Sequence, residues 1–332
     1  MGESGASGAL ERLSEKSGQE FPNLSDARSL AATKQPCFEK KLEKLTHDQE
    51  TSIVLFGSWA RRELTEYSDD DWLILVNGPP QEGVRPTVEE VASILGIDER
   101  KPGEQEIFGI HAFCDDIEKV GLDRDDNKNV THRVLLMLES IPFTGHAAHQ
   151  ACWERILDGY LQEVRRDKRP PRFFLNDVVR YWRTICVDFV GKHRKAGDKW
   201  GTRNAKLRAS RKVLFAGGLL PILQCFQFDR GDMREFLVDQ LTAPATDRLA
   251  YAFLKWDVPD PGARFFAAYD RWVGLLNDKA VRQDLNAVTP DNADESVAFR
   301  EVRGIGRDLE RGLLTLLFET RLEPISRQYG IF

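Results

Sequence analysis

Two aspartates, Asp69 and Asp71, lie just before the apolar run WLILV and are the residues best suited to chemistry. In an extended strand alternate side chains share a face, so these two carboxylates project together while Asp70 points the other way. Two carboxylates in one small space repel each other unless a cation lies between them, and hard oxygen ligands favour Mg²⁺ or Mn²⁺. The spacing therefore predicts a metal site, with coordination completed by a nucleoside triphosphate.

A turn, Gly57-Ser58, follows the β-branched run SIVLF and lies upstream of the two aspartates. Gly57 lets the backbone approach a phosphate closely, and Ser58 can donate hydrogen bonds from its amide and its hydroxyl. With two metal ions about 3.5–4 Å apart, one can activate an attacking hydroxyl while the other stabilises the leaving pyrophosphate. The turn and the carboxylates together predict in-line nucleotidyl transfer, whereas either feature alone is common in unrelated strands and turns.

The segment LFGSWARRELTEYSDDDWLILV resembles the signature of the DNA polymerase β-like nucleotidyltransferase superfamily. That signature is an apolar residue, Gly, Gly or Ser, a spacer of about nine to thirteen residues, and then Asp, apolar, Asp, apolar. This chain departs from it at Asp70, where the family usually has an apolar residue. A metal-free acidic turn is the alternative interpretation of the pattern.

The resemblance implies a mixed α/β (α+β) fold in which a small mixed sheet with helices is followed by a helical domain. It also implies two Mg²⁺ or Mn²⁺ ions and, commonly, a third carboxylate on a later strand. Glu106, Asp115, Asp116 and Glu139 are the candidates for that third ligand. We prefer Glu106, which begins a candidate strand, and leave a site of two carboxylates open.

A basic segment, WGTRNAKLRASRK, lies in the second half of the chain. Arg208, Arg211 and Lys212 share a face if the segment is one continuous helix. Polymerase β-like enzymes often bring a basic helix onto the triphosphate, so the resemblance implies that Lys206 and Arg208 bind phosphate. A basic face exposed only to solvent is the alternative.

Hydrophobic patterns predict the elements that position these residues. In the first half we expect strands at 51–56, 72–76 and 106–113, two helical turns at 59–66, and helices at 88–95 and 130–140, the last stopped by Pro142. In the second half we expect helices near 174–189 and at 203–216, 233–241, 263–276 and 297–318. We therefore predict a nucleotidyltransferase domain at 1–160, with an N-terminal lead-in over about 1–40 whose first 20 residues are flexible or weakly helical. A predominantly helical domain with a C-terminal tail is expected at 161–332.

The composition is that of a soluble protein. The 332 residues are 41% hydrophobic and 30% charged, and no apolar run reaches the roughly 18 residues that a membrane span needs. The first residues lack a secretory signal, and the five cysteines include no CxxC pair, so we expect a cytoplasmic protein with reduced thiols and no membrane insertion. The net charge of −6 argues against a protein that coats nucleic acid but permits a local basic groove.

The acceptor of the nucleotide is not set by the motif. The helical half resembles that of bacterial defence-associated nucleotidyltransferases, loosely those of the Hailong type, which make DNA oligomers without a template. This resemblance implies oligonucleotide synthesis in anti-phage defence, with a single-stranded oligonucleotide as product. Tyr329, on a terminal segment expected to be mobile, is a candidate primer, and an aromatic that docks the tail is the alternative.

Two further functions fit the same residues. The enzyme could nucleotidylate a partner, such as an effector or toxin protein. A nucleotide-binding sensor without turnover is the non-enzymatic alternative, because no third carboxylate is assigned.

Overall fold

A four-stranded mixed sheet holds the predicted site in the computed structural model, which describes residues 5–45, 48–80, 86–96, 107–121, 125–193 and 199–330. Its strands are β1 (Thr51–Phe56), β2 (Trp72–Val76), β3 (His111–Phe113) and β4 (Ser140–Pro142), in the order β3-β2-β1-β4. β1 pairs antiparallel with β2 and β4, and β2 pairs parallel with β3. The small mixed sheet expected from the resemblance is confirmed.

Helices cover both faces of the sheet and, with short loops and turns, make up the described chain that follows β4. No helix in the described part of the chain combines the length and apolarity needed to cross a bilayer. The helices are α1 (Ala9–Ser17), α2 (Pro22–Leu42), α3 (Val88–Leu95), α4 (Cys114–Ile117), α5 (Asn127–Leu138), α6 (His146–Gln162), α7 (Arg172–His193), α8 (Trp200–Arg208), α9 (Ser210–Gln224), α10 (Arg230–Thr242), α11 (Ala245–Lys255), α12 (Pro259–Asn277), α13 (Lys279–Ala287), α14 (Val297–Phe318) and α15 (Glu323–Tyr329).

The two faces of the sheet pack against different sets of helices. Because side chains alternate along a strand, Leu73 and Leu75 of β2 join the large core cluster formed with the C-terminal helices. Trp72 and Ile74 join a smaller cluster formed with α2 and α3. Asp71 has the same parity as Leu73, so the alternation directs it to the face covered by the C-terminal helices.

The N-terminal segment is an integral part of the fold. The expectation of a flexible or weakly helical lead-in is wrong, because α1 and α2 pack against α11 and α12. The Arg28 guanidinium lies 2.5 Å from the Asp247 carboxylate, and the Leu24 N–H donates to Asp270 at 2.8 Å. The sequence pattern missed these helices because their stability comes from tertiary partners more than 200 residues away.

Three local expectations in the first half need correction. Residues 59–66 form turns and irregular backbone instead of a helix. The helix expected at 130–140 is α5, which begins earlier, ends at Leu138 and gives way to β4, a strand that the pattern did not predict. The third strand is confirmed only as the short β3, and Glu106 lies outside the described residues.

The helical second half is confirmed, with differences in where helices break. α14 has the expected bounds, whereas the helix expected at 203–216 is broken at Ala209 into α8 and α9. The patterns missed α11, α13 and α15. The large core cluster contains both sheet residues such as Val54 and helical residues such as Trp272, and the domain boundary near residue 160 stays a prediction.

Gly145 offers a direct test of the contact between α6 and β1. Its φ is +60°, and an added Cβ would lie 1.9 Å from the Thr51 carbonyl oxygen and 2.8 Å from the Ser52 Cα. We expect Gly145→Ala to lower the free energy of unfolding by at least about 2 kcal/mol, measured by urea denaturation, because backbone must move.

The matched control is Gly159→Ala in the same helix, where an added Cβ meets no atom within 4 Å. That substitution should stabilise the protein by up to about 1 kcal/mol, because alanine is the better helix former. Equal stability changes in the two variants would contradict this packing of α6 on β1.

Candidate active site

The ends of β1 and β2 bring the turn and the carboxylates together. The Phe56 N–H donates to the Asp71 carbonyl oxygen at 2.8 Å, which extends the antiparallel ladder to the residue just before β2. Gly57 follows with a φ of +64°, and a Cβ there would lie 3.2 Å from Asp71 Oδ2. The turn therefore needs glycine both for its conformation and for the close approach of this carboxylate.

Asp69 and Asp71 share the side of the strand that faces the basic residues of the helical region. Lys206 Nζ on α8 lies 3.8 Å from Asp69 Oδ2, whose side chain is half exposed. Burial raises the pKa of Asp71 to about 6, and the negative charges of Glu139 and Asp69 add to the rise, while Lys206 and Arg61 oppose it. A carboxylate in these surroundings is stabilised in its charged form by a bound cation.

Asp70 points to the opposite face, as expected from strand alternation. Its Oδ1 accepts a hydrogen bond from the Trp59 indole Nε1–H at 2.6 Å. Trp59 is buried in the smaller core cluster, edge-on to Phe38 and Phe143. This hydrogen bond explains the departure from the family signature. An acidic side chain suits position 70 because the indole N–H of Trp59 donates to it.

The Gly57-Ser58 turn continues into a compact, internally hydrogen-bonded loop. The Arg61 N–H donates to the Gly57 carbonyl at 3.0 Å, and the Glu63 N–H donates to the Ser58 carbonyl at 2.8 Å. The N–H groups of Ser58, Trp59 and Ala60 have no hydrogen-bond acceptor within the described residues. Successive unpaired backbone N–H groups form an anion-binding geometry.

Glu139 is the third-carboxylate candidate that the structure brings close to Asp71. Its Oε1 accepts the Gly57 N–H at 3.1 Å, and its Oε2 accepts from the Arg61 guanidinium at 2.5 Å. Asp115 instead pairs with Arg155 at 2.8 Å. In the part of the chain that the structure describes, no group of three or more His, Cys, Asp or Glu side chains could hold a metal ion.

The two basic candidates point to different places. Lys206 faces the aspartates, but Arg208 Nε donates to Asn204 Oδ1 at 2.6 Å, and its Cβ lies beside Gly306 on α14. The segment is not one continuous helix, because it breaks at Ala209. Arg208 and Lys212 still lie near each other and near Glu310 on α14, whereas the charge of Arg211 acts on Lys206. The structure therefore brings Lys206, and not Arg208, to the carboxylates.

Arg282 is a basic residue near the site that sequence reasoning missed. Burial lowers the pKa of Lys206, the two aspartates raise it, and the positive charges of Arg211 and Arg282 lower it further. Arg282, on α13, also lies 5.5 Å above the Tyr67 ring. No local motif marks α13, so only the tertiary fold reveals this contact.

Tyr329 lies on α15 and is 6% exposed. Arg169 donates to its hydroxyl at 3.3 Å, and the Arg172 guanidinium lies 5.5 Å above its ring. The expectation of a mobile tail is wrong at this residue, because these contacts dock it onto the body of the protein.

Gly57→Ala tests whether the turn must approach Asp71. The new Cβ would be strained at positive φ and would crowd Asp71 Oδ2, so we expect nucleotide transfer to fall at least about 10-fold. Gly78→Ala, just after β2, is the control, because its Cβ meets no atom within 4 Å and its activity should be unchanged. Wild-type activity in Gly57→Ala, measured on folded protein, would contradict the role of the turn.

Comparison with known families agrees with this geometry. Residues 38–130 match the family model described as "Nucleotidyltransferase domain", and the match contains Gly57, Ser58, Asp69 and Asp71. A search of curated proteins gave no match. This segment carries a nucleotidyltransferase domain of the polymerase β-like superfamily, and a helical region follows it in the chain.

Proposed function

We propose that this protein transfers a nucleoside monophosphate from a nucleoside triphosphate to an acceptor hydroxyl and releases pyrophosphate. The observation that carries the proposal is the contact between Gly57 and Asp71, which places a carboxylate pair beside a turn with unpaired N–H groups. The same face meets Lys206 from the helical region. Donors for negative phosphates and carboxylates for positive metal ions would thus lie side by side at one site.

Asp69 and Asp71 are the residues that would hold the metal ions, which we propose to be two Mg²⁺ or Mn²⁺. Their oxygen-only donors suit hard cations, and burial together with the charges of Glu139 and Asp69 raises the pKa of Asp71 to about 6, an effect that a bound cation would oppose. When bound, the metal ions would favour deprotonation of the acceptor hydroxyl and neutralise charge on the pyrophosphate.

The protein's own residues would bind and orient the triphosphate. The N–H groups of Ser58, Trp59 and Ala60 donate to phosphate oxygens in this proposal, and Lys206 supplies a positive charge beside them. In the reaction, the acceptor oxygen forms a bond to the α-phosphorus as the bond to the pyrophosphate oxygen breaks, and the hydroxyl loses its proton.

In our proposal the acceptor is a hydroxyl on a separate molecule. Tyr329 is nearly inaccessible, with its hydroxyl bonded to Arg169 and its ring beneath Arg172, so priming requires α15 to leave these contacts. Growth of an oligonucleotide on a free 3′-hydroxyl, including synthesis in anti-phage defence, fits a separate acceptor. Nucleotidylation of a partner protein fits it equally.

Incubation with each α-labelled NTP and dNTP plus Mg²⁺ or Mn²⁺ tests the reaction. The wild-type protein should release pyrophosphate, and chelation of the metal should stop release. Asp69→Asn and Asp71→Asn should each reduce release at least about 100-fold, since each removes a charged metal ligand. Asp70→Asn, which keeps an oxygen to accept from Trp59, should retain activity.

The same products separate the acceptors. Labelled free oligomers indicate oligonucleotide synthesis, and label on an added protein indicates nucleotidylation of a partner. Label on the wild-type chain that disappears in Tyr329→Phe would support priming and contradict a separate acceptor. Tight nucleotide binding without pyrophosphate release under any condition would contradict the proposed activity and favour a sensor.

A further inference from the structure

A row of buried polar contacts links the Gly57-Ser58 turn to the helical region. Glu139 bonds to the Gly57 N–H and to Arg61, and Arg61 Nε donates to Glu63 Oε2 at 2.8 Å. Tyr269, on α12, donates its hydroxyl to the same Glu63 oxygen at 2.8 Å. These contacts run from the helical region to the backbone amide at the start of the proposed phosphate-binding turn.

The backbone on each side of Glu139 is fixed independently of its carboxylate. Ser140, the next residue, pairs with Phe56 at the end of β1, so Glu139 lies opposite Gly57. The Leu138 carbonyl, on the other side, accepts from the buried Arg248 guanidinium on α11. The backbone of Glu139 is therefore fixed by contacts on both sides, and this keeps its side chain next to the turn.

Burial makes the partners of Glu139 energetically important. Its side chain is 7% exposed and that of Arg61 is 15% exposed, so each charge depends on the other for compensation. Both carboxylate oxygens are engaged, one by an amide and one by a guanidinium. These two bonds fix the orientation of the carboxylate, and in the described part of the chain it belongs to no group of three or more His, Cys, Asp or Glu side chains that could hold a metal ion.

We propose that Glu139 is a positioning residue that holds the Gly57-Ser58 turn in its phosphate-binding form, and that it is not the third metal ligand. By accepting the Gly57 N–H, it fixes the orientation of the peptide that precedes the unpaired N–H groups of Ser58, Trp59 and Ala60. Tyr269 supports the same arrangement through Glu63 and Arg61. This inference rests on the proposed nucleotidyl transfer and names a determinant of that site outside the matched 38–130 segment.

Two measurements on the same variants separate positioning from metal ligation. In Glu139→Ala, the KM for the nucleoside triphosphate should rise about 10-fold, because a charge-assisted hydrogen bond to the turn is lost. Glu139→Gln keeps an oxygen for Gly57 and should show a smaller rise. The Kd for Mn²⁺, measured without nucleotide by electron paramagnetic resonance, should stay within about 2-fold of wild type in both, since Asp69 and Asp71 are intact.

Asp177→Asn is the matched control. Asp177, on α7, is a buried carboxylate that lies 2.8 Å from the buried guanidinium of Arg133 on α5. Its substitution should therefore lower Tm as much as the Glu139 variants do, without raising KM. Tyr269→Phe, which removes only a hydroxyl, should raise KM in the same direction as Glu139→Gln.

Three results would overturn the inference: a Mn²⁺ Kd weakened at least about 10-fold in Glu139→Gln, an unchanged KM in both Glu139 variants, or an equal KM rise in Asp177→Asn.

If the wild-type protein transfers no nucleotide, the proposed function fails, and hydrogen exchange of residues 57–63 still decides the positioning role. Faster exchange there in Glu139→Ala, or in Glu139→Gln if the alanine variant does not fold, supports it, and unchanged exchange contradicts it.

Discussion

The hydrogen bond from the Phe56 N–H to the Asp71 carbonyl is the contact on which the site depends. It continues the antiparallel pairing of β1 and β2 to the residue just before the start of β2, and it places Gly57 against the Asp71 side chain. Strand alternation then puts Asp71 on the face covered by the C-terminal helices and Asp70 on the face of Trp59. A shift of one residue in this register would exchange the two faces and remove Asp71 from the turn.

Opposite charges meet across the boundary between the sheet and the helical region. Asp69 and Asp71 come from the sheet, whereas Lys206, Arg211 and Arg282 come from separate helices. Although the net charge is −6, the residues that face the two carboxylates are locally basic. In the proposed function this arrangement attracts a divalent cation and a triphosphate, and the N–H groups of the turn add neutral donors.

Sequence reasoning succeeded where a short stretch of chain sets the outcome. The period of a strand correctly predicts that Asp70 and Asp71 point to opposite faces. The apolar pattern of residues 297–318 correctly predicts both ends of α14. Sequence reasoning failed where contacts between residues far apart in the chain determine a helix boundary or the partner of a side chain. The break at Ala209 splits the helix expected at 203–216 into α8 and α9. Arg61 and Arg248 bond to Glu139 and Leu138 at the junction of α5 and β4, and Tyr269 bonds to Glu63 beside Arg61, all from positions far apart in the chain. No local pattern encodes these partners.

Anomalous diffraction from crystals soaked with Mn²⁺ and a non-hydrolysable nucleoside triphosphate would test the central claim most directly. The account predicts manganese within coordination distance of both Asp69 and Asp71, with the triphosphate against the N–H groups of Ser58 and Trp59 and Glu139 still bonded to Arg61. Manganese and nucleotide bound away from Asp71, or a turn that makes no phosphate contact, would contradict it.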